Sequence, residues 1–348
     1  GTLARLLIGL LATNPDIEIN INGDKSLNRR NMKNLIELMN NFGSNFYPKN
    51  KFYFPLKIIS SQLPIGINYK AGVSAQLKSA VILAGLNSYG ITKILEKLKS
   101  RDHTENMLLT NNKAIKIIKK KDKLIKISGK EELNSINVDV PGDPSSAAFF
   151  SALTLINKNS TINIKNVGLN STRTGFYNLL KAQGAKIKFY KLRKINNELR
   201  GNILVKTSKI KPIKASKKYY VNSTDEYPIL FVIAGLTKGV STFKGIGDLT
   251  NKESNRIKEM QKILKQVGVK SVLKKDELKV YGKELFNVKK NKVIVPNLGD
   301  HRICMSAFIL GILTGAKTTI KNFETVYTSS PSFLKLMKKL GAKFEIQK

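Results

Sequence analysis

The sequence predicts an α/β protein of two domains, each assembled from copies of one structural unit. Three observations carry this. The 348 residues amount to two domains at about 150 residues each. Forty-one per cent of them are hydrophobic, enough for sizeable cores and more than disordered chains carry. An almost wholly apolar helix pattern recurs along the chain, with strand-like runs of period two between the copies.

The apolar helices fall at residues 2–12 (TLARLLIGLLA), 74–86 (SAQLKSAVILAGL), 145–156 (SSAAFFSALTLI), 225–236 (DEYPILFVIAGL) and 300–313 (DHRICMSAFILGIL). Each opens at Thr, Ser or Asp, residues that accept hydrogen bonds from the free N–H groups of a first helical turn. A helix apolar all round must lie inside, so sheets are expected to wrap these five. An amphipathic helix follows each copy, at 32–43, 175–184, 256–268 and 333–341. Apolar residues recur there at helical spacing, as in Leu334, Met337 and Leu340, or Ile257, Met260, Ile263 and Leu264. The glycine at each end suits a left-handed cap. In the second copy this helix is degenerate, around 104–109. Strands are expected at 160–167 (STINIKNV), 185–190 (AKIKFY) and 318–323 (TTIKNF), by their alternation. One unit thus reads strand, buried helix, strand, amphipathic helix, strands. The domain boundary is set between 140 and 141, with two repeats before it and three after. The first copy begins mid-unit at Gly1 and the last ends on residues 342–347, so a missing N-terminal part is expected.

Composition narrows the function. Sixty-one Lys and Arg against 24 Asp and Glu give a net charge of +37. The densest run, residues 116–126 (KIIKKKDKLIK), has no interleaved aromatics and offers no stacking platform for single strands. Lys, Asn and Ile, rich in A/T codons, abound along the whole chain, so genome composition can supply most of the charge. One cysteine and two histidines leave no disulfide framework and no structural zinc site. The longest apolar stretch, 303–316, is shorter than the roughly 20 residues of a membrane helix. Residues 1–12 imitate a signal h-region without a basic segment before it. A cytoplasmic protein is expected.

Polar residues gather at the helix mouths. Asp300, His301 and Arg302 open one buried helix, Asp225 and Glu226 another, and Ser74, Ala75, Gln76 and Lys78 a third. Residues 252–256 (KESNR) open an amphipathic helix, with Lys252 and Arg256 on one face and Glu253 beside them. Residues 100–105 (SRDHTE) open a fourth mouth, and Arg29-Arg30 precedes a fifth. Singly, Asp300 or Asp225 reads as an N-cap, Arg256 as a solvated charge, His103 and His301 as ordinary histidines and Cys304 as an inert core residue. Recurrence at equivalent repeat positions implies more: a shared cleft of helix N-termini and cations with carboxylates among them. Such mouths bind phosphate and carboxylate groups, and a carboxylate set among cations can move a proton.

The ordered segments TLARLL, GDKSLNRRNM, GVSAQLKSAVILAGL, SRDHTENML, VPGDPSSAAFF, VGLNSTRTGF, DEYPIL, NKESNRIKEM and GDHRICMS resemble the EPSP synthase (3-phosphoshikimate 1-carboxyvinyltransferase) family over essentially the whole chain. The resemblance implies an inside-out α/β barrel in two domains built of βαβαββ units, five of six being present. It implies enolpyruvyl transfer from phosphoenolpyruvate to the 5-hydroxyl of shikimate 3-phosphate, through a tetrahedral intermediate and without metal or organic cofactor. By the same resemblance Ser74, Ala75, Gln76, Ser100, Asp225 and Lys252 hold shikimate 3-phosphate. Gly1, Arg30, Gln76, Arg256 and Arg302 hold phosphoenolpyruvate. Asp225 takes the 5-hydroxyl proton and Glu253 handles the proton at the methylene carbon. A monomer acting on small molecules is implied, with no nucleic-acid or membrane partner.

Several positions depart from the family pattern. Asn31 stands where proline is usual, Thr328 where some members have a lysine, Ser330 where an aromatic is usual and Asp248 where some have asparagine. The Pro-Gly-Asp-Lys-Ser segment, whose lysine touches both substrates in the family, does not occur, so little activity is expected of this chain alone. Two rivals remain. A UDP-N-acetylglucosamine enolpyruvyl transferase would share the fold, yet such enzymes commonly use a loop cysteine or aspartate, and Cys304 lies in an apolar helix. A basic nucleic-acid-binding protein would be poorly served by Asp225, Glu253 and Asp300, which repel a phosphate backbone.

Overall fold

The computed structural model describes residues 1–119, 121–284 and 292–347. The chain divides into two compact units: Gly1–Asp139 with Lys194–Glu198, and Val140–Arg193 with Leu199–Lys348.

Unit 1 runs α1 (Thr2–Leu11), β1 (Glu18–Ile21), α2 (Lys25–Asn28), α3 (Lys33–Asn40), β2 (Asn45–Tyr47), β3 (Leu56–Ile59), β4 (Asn68–Ala71), α4 (Ala75–Asn87), β5 (Ile91–Glu96), α5 (His103–Leu108), β6 (Ile115–Lys119) and β7 (Lys123–Ser128). Its sheets are ordered β1-β3-β2 and β4-β5-β7-β6. In the second, β4 and β5 run parallel on either side of α4, and β7 turns back antiparallel. Ser74 caps α4 by accepting from Leu77 N at 3.4 Å. α1 lies so close to α4 that a Cβ on Gly9 would stand 2.5 Å from the Ala80 carbonyl oxygen. Only glycine permits that approach.

Unit 2 repeats the scheme three times. First come α6 (Pro144–Ile156), β8 (Thr161–Gly168), α7 (Gly175–Ala182), β9 (Lys186–Ile195) and β10 (Glu198–Lys206). β11 (Lys214–Ala215), α8 (Tyr220–Ser223), α9 (Tyr227–Gly235), β12 (Gly239–Lys244), α10 (Arg256–Gln266), β13 (Lys270–Lys274) and β14 (Glu277–Gly282) follow. Last are β15 (Lys292–Val295), α11 (His301–Thr314), β16 (Lys317–Ile320) and α12 (Phe333–Lys339). The sheet order β11-β12-β14-β13 copies that of β4-β5-β7-β6, strand for strand. In the β8-β10-β9 sheet a lone parallel bridge, Gly142 to Val167, takes the place of the first strand.

All nine residues of α9 are buried, and α6 and α11 are nearly so. Asp143 caps α6, with Pro144 in the first turn where a missing N–H costs nothing. Asp300 caps α11, and Gly315 (φ 72°) ends it in the left-handed conformation. Each unit has its own hydrophobic core, centred on α6, α9 and α11 in unit 2 and on α1, α3 and α4 in unit 1.

Several sequence expectations need correcting. α1 is not buried all round: only Ile8 and Gly9 of it are buried, while Leu3, Leu7 and Leu10 are exposed. Lys252 lies outside the amphipathic helix: Asn255 caps α10, so Lys252 and Arg256 do not share a helical face. Residues 342–347 join no sheet; Ala342 and Phe344 instead pack on the unit 2 core.

Candidate functional site

In unit 2, a chain of charges joins the mouths of α9, α10 and α11. Asp300 Oδ1 accepts from Arg302 N at 3.0 Å while Oδ2 accepts from Arg256 Nε and Ser254 Oγ, both at 2.9 Å. Arg256 Nη2 donates to Glu253 Oε2 at 2.6 Å, and Nη1 stands 3.8 Å from Asp225 Oδ1. Arg302 Nη2 is 4.0 Å from Asp225 Oδ2. Asp225 therefore faces two guanidinium groups from the turn Thr224–Glu226, and caps no helix.

These arginines are only partly satisfied. Arg302 Nε and Nη1 and Arg256 Nη1 are buried without a hydrogen-bond partner. Buried N–H donors ordinarily find partners, so three orphan donors beside one carboxylate mark a place for an anion. Burial lowers the Arg256 pKa, but Asp300, Glu253 and Asp225 outweigh it and leave the guanidinium more firmly charged than usual. Burial, then Arg302, depress His301 to about 4, so it stands neutral at pH 7. Cys304 is buried, its thiol pushed up to about 12 chiefly by that burial, as an inert core residue should be.

Nearby residues of unit 2 are also paired. Lys252 Nζ lies 2.5 Å from Asp248 Oδ2, which also accepts from the Tyr220 hydroxyl at 2.7 Å. Asp143 accepts from Arg173 Nη2 at 2.6 Å, and the same nitrogen donates to Ser145 Oγ at 2.8 Å. Burial raises the Asp143 pKa, yet Arg173, Arg302 and Ser146 together hold it below the usual range.

In unit 1, the predicted residues at the mouths of α1 and α4 come together. Gln76 Nε2 donates to Thr2 Oγ1 at 2.7 Å. Gly1 lies against Arg30, where a Cβ would stand 2.6 Å from Nη1. Ser74 and Ala75 remain partly accessible at the start of α4. Ser100 is different. It is fully buried, and both its backbone N–H (3.0 Å) and its hydroxyl (2.7 Å) donate to Glu96 Oε1. Its one hydroxyl proton is thus committed to a protein carboxylate.

The acceptor belongs to a cluster that sequence reasoning missed. Lys78 Nζ bridges Glu96 Oε1 (2.6 Å) and Glu105 Oε1 (2.8 Å), and Lys123 Nζ reaches Glu105 Oε1 (3.0 Å) and Glu96 Oε2 (3.3 Å). Lys78 is fully buried. A lysine in the first turn of an otherwise almost wholly apolar helix was the signal that could have found it. No group of three or more His, Cys, Asp or Glu able to hold a metal occurs among the described residues. No helix there is long and apolar enough to cross a membrane.

The fold resembles that of the enolpyruvyl transferase NikO from Streptomyces tendae (TM-score 0.69, 12% identity, 98% of this chain and 76% of that one), a likeness of fold alone. Sequence takes the assignment further. A family profile for EPSP synthase (3-phosphoshikimate 1-carboxyvinyltransferase) matches residues 1–337, and the chain belongs to that family. The 3-phosphoshikimate 1-carboxyvinyltransferase of Zymomonas mobilis is 37% identical, over 99% of this chain and 77% of its own length. That of Petrotoga mobilis is 38% identical, over 98% and 78%. The EPSP synthase structure from Acinetobacter baumannii superposes with a TM-score of 0.84 at 31% identity, covering all of this chain and 79% of that one.

Proposed function

We infer that this chain transfers the enolpyruvyl group of phosphoenolpyruvate to the 5-hydroxyl of shikimate 3-phosphate, with release of phosphate. Family membership carries the activity, and the orphan donors of Arg302 and Arg256 beside Asp225 are the observation that supports the assignment of roles.

Arg302 and Arg256 hold the carboxylate or phosphate of phosphoenolpyruvate, where three donors are already desolvated and aimed. By the family resemblance Gly1, Arg30 and Gln76 are also assigned to phosphoenolpyruvate. Lys252, Ser74 and Gln76, with Ala75 alongside, serve shikimate 3-phosphate. Ser100 joins them once its hydroxyl turns from Glu96. Asp225 accepts the 5-hydroxyl proton as that oxygen bonds to C2 of the enolpyruvyl group. Glu253 supplies the proton that adds to the methylene carbon. In the elimination the C2–O bond to phosphate breaks and the leaving oxygen takes up the proton held by Asp225, the same methyl carbon returns a proton to Glu253, and the double bond re-forms. The Arg256 contact to Glu253 keeps that carboxyl in place through both steps. The enzyme acts as a monomer in the cytoplasm on small molecules, and its carboxylates disfavour nucleic acid.

Ligand-induced thermal stabilisation tests this reading, because a ligand that binds the native state raises stability even without turnover. Shikimate 3-phosphate is expected to raise the Tm, and phosphoenolpyruvate to raise it further. Stabilisation by UDP-N-acetylglucosamine alone would overturn the substrate assignment. Micromolar DNA binding that falls steeply with salt would favour a nucleic-acid role instead.

A further inference from the structure

Glu226 follows Asp225 in the same turn and is 2% exposed. Other buried carboxyls of unit 2 hold a cation: Asp300 takes Arg256 at 2.9 Å and Glu259 takes Lys262 at 2.8 Å. Among the described residues no Lys, Arg or His nitrogen lies within ion-pair distance of Glu226, although Arg302 reaches its neighbour Asp225. Its Oε1 is buried with no hydrogen-bond partner at all. Ionised, it would place a bare oxygen among Tyr227 and Tyr177 beside the charge of Asp225, which interiors do not tolerate.

We propose that Glu226 is held as the neutral acid and acts as a positioning residue, so that of the two adjacent carboxyls in this turn only Asp225 presents negative charge to Arg256 and Arg302. Its polar contact is Ser145 on α6, whose Oγ also accepts from Arg173 Nη2 at 2.8 Å. The charged groups that face it are Asp225 on its own turn, Arg302 on α11, and Arg173 with its partner Asp143. Burial and then Asp225 push the Glu226 carboxyl up, against Arg173, Ser145 and Arg302. This inference rests on the reading that the two arginines hold phosphoenolpyruvate. A second charge at Glu226 would cancel part of the field that draws that anion, whereas the acid keeps the backbone of the Asp225 turn anchored without doing so.

Glu226→Gln imitates the neutral acid and supplies the test. Difference infrared spectra of the unsubstituted protein at pH 7 should show the C=O stretch of a protonated carboxylic acid, and E226Q should lack it. The sign of the pH effect follows from linkage. An acid with a raised native pKa contributes stability below its ordinary value of 4.5, and that contribution is lost as pH rises toward the native value. Glutamine has no such loss, so the Tm advantage of E226Q over the unsubstituted protein should grow from pH 5 to pH 8. Phosphoenolpyruvate affinity should change by less than roughly threefold, well under one decade. Absence of the acid band, a Tm gap that shrinks with pH, or a tenfold loss of phosphoenolpyruvate affinity in E226Q would each overturn the proposal. If the unsubstituted protein does not bind phosphoenolpyruvate, the functional reading fails, while the infrared and Tm results still decide the state of Glu226.

Discussion

Asp300 Oδ2 accepts from Arg256 Nε at 2.9 Å, with both side chains buried and the same carboxylate capping α11 through Arg302 N. One side chain thus fixes both arginines that bear orphan donors: Arg256 directly, and Arg302 through the start of its helix.

Replacing Asp300 by Asn should therefore act twice. It leaves Arg256 buried with a weaker partner, and removal of one member of such a pair costs about 3–5 kcal/mol. Because Glu253 still holds Arg256, the lower end of that range is expected by urea unfolding. Phosphoenolpyruvate affinity should fall roughly tenfold or more, about 1.4 kcal/mol, measured by titration calorimetry under conditions where the variant is folded. Unchanged affinity would show that the arginines do not depend on Asp300.

Arg302→Met should separate binding from stability in the opposite way. Two buried guanidinium nitrogens of Arg302 have no partner, and each unsatisfied buried donor costs about 1–3 kcal/mol. Methionine removes them and keeps the aliphatic stem. The Tm of R302M should match or exceed that of the unsubstituted protein, whereas phosphoenolpyruvate affinity should drop roughly 100-fold, the value of charged hydrogen bonds at about 1.5–3 kcal/mol. A large fall in Tm would mean that Arg302 is structural.

Much of this architecture was legible in the sequence because the repeat is written in hydrophobicity. Residues 74–86 and 300–313 became α4 and α11 with Ser74 and Asp300 as caps. Their neighbours supply all-round apolar surface, and that pattern survives changes of partner. Clusters that depend on distant residues were harder to see. Asp143, not Ser145, caps α6, because Pro144 fits the first turn and shifts the start. Asp225 reads as a cap but faces arginines brought from α10 and α11. The Lys78, Glu96, Glu105 and Lys123 cluster draws on two helices and two strands, and no local spacing encodes it.

His301 predicts an acid sensitivity. Burial and Arg302 depress its pKa from 6.5 to about 4, so the native state binds fewer protons than the unfolded chain between those values. Stability from this residue is therefore complete above pH 6.5 and is lost as pH falls toward 4, by up to about 3 kcal/mol. Urea unfolding at intervals from pH 7 to pH 4 should show this decline, and His301→Gln should remove that share of it. An identical slope in H301Q would sink the assignment.

Lys78 offers a test of the charge cluster in unit 1. Its ammonium is fully buried between Glu96 and Glu105, and Lys123 also touches both carboxylates. Lys78→Met keeps the length of the side chain but leaves two buried carboxylates to share one lysine, so a loss of about 3–5 kcal/mol is expected. Adding Glu105→Gln restores charge balance, since Lys123 then pairs with Glu96 alone. The double variant K78M/E105Q should recover a large part of the loss, a coupling that single substitutions cannot show. Ser100 provides a local readout, because its N–H and O–H both end on Glu96. Amide exchange at Ser100 should accelerate in K78M and slow again in the double variant. If the two substitutions are simply additive, the four side chains do not act as one charge-balanced cluster.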